Sequence, residues 1–179
     1  MSIKAERVKS VRTALTAIFF LQGALGTVMI PRVPELIEQI DVNFTAWGAI
    51  LGFSGLGALV GLMYANRYIV RFGSRRVLEV TSVASALLLV SLPFITNAWI
   101  FFLVQAAMAF TGSCFNIALN MQGVVLQKML KRTIIGKFHA GWSIGAASSA
   151  ALNAVLATFM PMWLHFSLIP GIAAVILYI

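Results

Sequence analysis

Ser113, Asn116, Asn120 and Gln127 recur along one apolar run at a spacing that places them on one stripe of a helix, with Gly123 completing it. Hydroxyls and amides so arranged serve one of two ends. They hydrogen-bond a polar solute in a cavity, or they bond a neighbouring helix. Gln22 shares a helix face with Gly26 in an earlier run, and Arg32 follows between Pro31 and Pro34. A planar guanidinium there can hold an anionic or hydroxylated solute, or it can snorkel and pair with Glu35. In a later run His139 precedes Ser143 by about one helical turn. If that run packs antiparallel to the one carrying Asn120, then Asn120 and Ser143 lie at similar depth and His139 about a turn nearer the end, which would give a polar cluster of the three. An imidazole titrates near neutral pH, so His139 is a candidate proton relay, the alternative being an interfacial histidine bonded to a carbonyl. The candidate solute contacts are therefore Gln22, Arg32, Asn116, Asn120 and Ser143; His165 reads as interfacial.

Two serines stand in glycine frames that suit nucleophilic catalysis, Gly52-Phe53-Ser54-Gly55 and Gly141-Trp142-Ser143-Ile144-Gly145. The first resembles the short pattern of six-span rhomboid proteases. A serine nucleophile needs a histidine base within hydrogen-bond reach, conventionally two spans later, and the run from Ala98 to Leu126 has none. The second frame needs a strand-to-helix turn, whereas Ser143 lies inside a helical run. Both frames read as packing glycines, and the chain is not expected to be an enzyme or to need a cofactor or a metal. Its single cysteine, Cys114, allows neither an intramolecular disulfide nor a cysteine-based zinc site.

The elements that carry these residues follow from composition. Hydrophobic residues make up 60% of the chain and charged ones 10%, with a mean hydropathy of +0.95, so a water-soluble fold of this size could not hide its apolar surface. Stretches long enough to cross a bilayer recur six times, at about 13–30, 45–68, 77–92, 98–126, 138–160 and 162–179. The fold class is all-α, a single polytopic bundle of six transmembrane helices over residues 1–179.

The net charge of +8 would raise nucleic acid as a partner if its cations shared one face. Instead twelve of the thirteen basic residues divide among three segments: Lys4, Arg7, Lys9 and Arg12; Arg67, Arg71, Arg75 and Arg76; and Lys128, Lys131, Arg132 and Lys137. The intervening side carries Arg32 with Glu35, Glu38 and Asp41. The positive-inside rule puts the basic segments and the N-terminus in the cytoplasm, against anionic lipid. The first 26 residues also resemble a secretory signal, but the charge alternation keeps its phase only if that span is retained.

Small residues four apart let helices approach closely in lipid. Gly48/Gly52 and Gly57/Gly61 in the second span, and Gly141/Gly145 followed by the small residues 146–151 in the fifth, should each press on a neighbour, as packing or as a surface that slides.

Arg71-Phe72-Gly73-Ser74-Arg75-Arg76, after the glycine-rich second span, resembles the signature loop of the major facilitator superfamily. Val70 stands where that loop usually has aspartate, and Ser74 where it has its first arginine after the glycine. Pro31-Arg32-Val33-Pro34, Asn120-Met121-Gln122-Gly123 and His139-Ala140-Gly141-Trp142-Ser143-Ile144-Gly145 are similar to a fucose-permease-like bacterial subgroup, in which an acidic residue often stands at the Gln122 position. The resemblance implies Arg71, Gly73, Arg75 and Arg76 as the cytoplasmic signature loop, a bacterial inner-membrane location, and twelve helices in two halves, each of two inverted three-helix repeats. This chain would be the N-terminal half, ending at Val175-Ile176-Leu177-Tyr178-Ile179 without a basic flank. The implied activity is secondary transport of a small polar solute by alternating access. The implied partners are membrane lipid, that solute, and a C-terminal six-helix half or a second copy. The alternative is a self-contained six-helix protein acting as a homodimer or accessory subunit.

Overall fold

The computed structural model describes residues 3–178, all helix, turn and loop, with no strand among the described residues. The side chains of Lys4 and Arg7, and Ile179 at the end of the sixth expected span, lie outside the described residues. The helices are α1 (Ile3–Leu25), short α2 (Val33–Gln39), α3 (Phe44–Phe72), α4 (Ser74–Ser91), α5 (Ala98–Leu130), α6 (Ile135–Leu156) and α7 (Met162–Tyr178). Four segments are long and apolar enough to cross a membrane: Val8–Gln39, Phe44–Phe72, Ser74–Phe94 and Ala98–Leu130. Among the described residues α6 and α7 do not reach that standard. Serines and Asn153 interrupt the apolar residues of α6, and α7 has 17 residues.

Side-chain caps set several boundaries. Asn43 Oδ1 accepts from Ala46 N at 2.8 Å to start α3, and Asn97 Oδ1 accepts from Trp99 N and Ile100 N at 2.9 and 3.1 Å to start α5. Gly73 alone separates α3 from α4, with φ at +82°, a conformation that a side chain would strain. The first helix ends at Leu25, before the expected Ile30, because the chain turns at Gly26 and then winds through a 3₁₀ turn at Ile30–Arg32 into α2. Pro31 and Pro34 occupy first-turn positions, where a missing N–H costs nothing.

α1 packs along α6, while α3 and α4 both pack along α5. Glycines set the closest approaches. A Cβ on Gly23 would overlap the Trp142 carbonyl, one on Gly145 the Phe20 carbonyl, and one on Gly57 the Ala106 carbonyl. One on Gly61 would lie 2.6 Å from the Phe110 oxygen. Gly48 and Gly52, by contrast, meet nothing within 4 Å. Among the described residues, the Gly57/Gly61 half of the second span's glycine face is the part used inside this chain.

The core divides by depth. Val28, Leu36, Leu92, Phe101 and Phe166 bury one end, and Leu15, Phe19, Leu119, Leu126 and Phe138 the other, where Phe19 and Phe138 stack at 5.2 Å. Cys114 and Ala118 sit in a third cluster with Ala65 and Ile69. The outward faces are apolar as well: Leu56, Leu59 and Met63 on α3, Val80, Val83 and Leu87 on α4, and Ile144, Leu152 and Val155 on α6 are all exposed. Such a surface is adverse in water and neutral against lipid tails.

Candidate functional site

An open groove of about 410 Å³ lies between α3 and α5, lined by Leu62, Ala109, Gly112, Ser113, Asn116 and Ile117. Two members of the expected polar stripe, Ser113 and Asn116, thus reach a cavity. One turn on, Asn120 Nδ2 donates to the Asn116 carbonyl at 2.9 Å and to Asn116 Oδ1 at 2.5 Å. That bond orients the Asn116 amide oxygen toward Asn120 and leaves its amino group to face another acceptor. The stripe does not continue as a cavity wall. Gln127 Oε1 accepts from Ile134 N and Ile135 N at 3.0 and 3.2 Å, capping the start of α6 from the preceding helix, and Gly123 packs against Ile135 and Phe138. The stripe divides: Ser113 and Asn116 line the groove, while Gln127 bonds the start of the next helix.

The polar cluster of Asn120, His139 and Ser143 does not assemble, since no hydrogen bond joins them among the described residues. The reason is packing. α6 lies along α1 rather than α5, so His139 stands edge-on to Phe19 at 5.5 Å, and the Asn120 amide turns down its own helix. His139 and Ser143 are exposed, and Gln22 on α1 is half-buried.

Arg32 lies away from the groove and is only 3% exposed. Its Nη1 pairs with Glu35 Oε1 at 2.5 Å, its Nη2 donates to the Met160 carbonyl, and its Nε donates to His165 Nδ1 at 3.2 Å. His165, expected at an interface, is fully buried, and its Nε2 lies 2.8 Å from Asn153 Oδ1. Asn153 Nδ2 donates to Ser149 Oγ at 2.8 Å, and Ser149 Oγ to the Ala24 carbonyl at 2.9 Å. The sequence offered one signal for this network, the four-residue spacing of Ser149 and Asn153 within an otherwise small and apolar run.

At the other end of the bundle, Arg71 lies over the Phe72 ring at 5.2 Å, and Arg75 pairs with Glu79 at 2.8 Å in the open. Arg75 and Arg76 are exposed in the first turn of α4, and Ser74 Oγ accepts from Gln122 Nε2 of α5.

A bundle of long helices with apolar outward faces and a polar groove between two of them defines a multi-pass membrane protein. A family model described as "Transmembrane secretion effector" matches residues 3–170, and the chain belongs to this family of the major facilitator superfamily. It is 29% identical over 152 residues to the uncharacterized transporter y4wD of Sinorhizobium fredii, covering 83% of this chain and 40% of that protein. It is 25% identical over 165 residues to an uncharacterized MFS-type transporter of Yersinia pestis, covering 88% of this chain and again 40% of the relative. The chain therefore spans about two fifths of the length of these relatives. No solved structure matches it.

Proposed function

We propose that this chain forms the first six-helix half of a twelve-helix secondary transporter, which moves a small polar solute across the bacterial cytoplasmic membrane by alternating access, its N-terminus in the cytoplasm. The observation that carries the reading is the groove in which Ser113 and Asn116 of α5 present polar groups beside Leu62 of α3. Polar side chains at membrane depth are costly and serve where they face a cavity. The relatives' greater length supplies room for a second half, and the open Gly48/Gly52 face of α3 suits close approach by that half or by a second copy.

One pairing of helices fits an inverted repeat, while the packing of α4 on α5 has no equally close counterpart between α7 and α1. Exchanging the first three long helices for the last three turns the close pair α1 with α6 into α5 with α3, which is the other glycine-bearing pair. The fucose-permease-like subgroup rests on its short motifs alone.

The test is uptake into liposomes by the purified chain, with and without a proton gradient, alongside its mass in detergent. Uptake is expected only when a complementary half is present. Saturable, gradient-dependent uptake by a monomer overturns the half-transporter reading, and uptake only by a dimer favours the self-contained homodimer.

A further inference from the structure

The proposed groove makes no use of the buried network around Arg32, and the directions of its hydrogen bonds are dictated by chemistry. A guanidinium carries only donors. Because Arg32 Nε donates to His165 Nδ1, that ring nitrogen must be unprotonated. Nε2 then carries the ring proton and donates to Asn153 Oδ1. The Asn153 amide passes its own N–H to Ser149, and the Ser149 hydroxyl donates to the Ala24 carbonyl. The chain of donors starts at Arg32 in the 3₁₀ turn, crosses α7 and α6, and ends on α1. Arg32 also holds the Met160 carbonyl, just before α7. Only the neutral Nε2–H form of His165 satisfies this order.

A second proton on His165 would set N–H against N–H and a cation beside a guanidinium out of water. The charged groups facing His165 are Arg32 and the half-exposed Glu35. Glu38 of α2 and Asp41 after it are exposed at the same end, and among the described residues the other packed elements offer none nearby. Lys137 and His139 lie in the first turns of α6, Arg75, Arg76 and Glu79 in those of α4, and Lys9 and Arg12 in the first half of α1, all toward the opposite end of the bundle.

We propose that His165 is a proton-binding site that latches this end of the bundle: neutral, it ties α7 to Arg32 and α6; protonated, it breaks from Arg32 and frees the start of α7. The linkage sign follows. The latch contributes stability while His165 is neutral and loses it as pH falls through the imidazole's titration.

Glutamine offers an oxygen to Arg32 and an amide N–H to Asn153 without titrating in this range. Thermal midpoints of the purified chain in detergent at about pH 7.5 and about pH 5 therefore test the latch. The wild-type midpoint is expected to fall by about 3 °C or more on acidification, as is that of His139→Gln and of Glu35→Gln, while His165→Gln stays level. A level wild type, or an equal fall in His165→Gln, overturns the proposal. Should His165→Gln fail to accumulate, ¹⁵N spectra of the His139→Gln chain, which keeps one imidazole, decide. The neutral Nε2–H form at the higher pH with imidazolium at the lower supports the latch. Nδ1–H or imidazolium at the higher pH, or no change on acidification, overturns it.

Discussion

Gln122 of α5 donates to the hydroxyl of Ser74, the first residue of α4, at 2.5 Å. Ser74 lies in the 71–76 turn, where the chain differs from the signature loop it resembles. The two residues touch, and a neutral hydrogen bond holds α4 to α5. A double-mutant cycle of Ser74→Ala and Gln122→Ala should show a coupling of about 1 kcal/mol in unfolding free energy. Purely additive losses would mean that the bond contributes nothing.

Glycine substitutions should sort by what a Cβ meets. Gly57→Ala and Gly145→Ala drive a methyl into the backbone carbonyl of the facing helix, and each is expected to cost about 1–3 kcal/mol. Gly52→Ala meets nothing within 4 Å and should leave the stability of the isolated chain unchanged or slightly raised. Thermal unfolding in detergent reads both, and equal effects at Gly52 and Gly57 would contradict the close α3–α5 contact.

In a transporter of the relatives' length, Asn116→Ala should lower transport about tenfold at unchanged expression, the equivalent of one lost polar contact of about 1.4 kcal/mol. Asn120→Ala should do less, since Asn120 acts through Asn116. Gln127→Ala should instead lower expression and stability, because it uncaps α6. Normal transport by Asn116→Ala would make the groove a packing feature.

Cysteine accessibility tests the topology. Cys114 is buried against the Gly61 carbonyl, so the native thiol gives a quiet background. A membrane-impermeant maleimide applied to intact cells should label Glu38→Cys and spare Arg71→Cys and Lys131→Cys. Labelling of Lys131→Cys from outside would reverse the assignment.

The class of protein was legible in the sequence because it depends on summed local quantities: apolar length, the alternation of charge between runs, and small residues at fourfold spacing. Those sums do not depend on which helix neighbours which. The basic turns, the helical runs and the polar stripe of α5 could be read on that ground, and so could Gly73 as a turn. What Asn120, His139 and Arg32 touch could not. The cluster of Asn120, His139 and Ser143 assumed that consecutive helices pair, whereas α6 lies along α1, because the glycines at 23 and 145 let those two backbones meet. The same pairing brings Asn153 and Ser149 beneath Ala24 and sets His165 against Arg32, 133 residues away. Sequence by itself determined that this chain lives in a membrane and which of its residues are polar there. Tertiary packing decided which of those polar groups face the groove and which bond one another, since a buried donor must find its acceptor on whatever backbone the close contacts bring near.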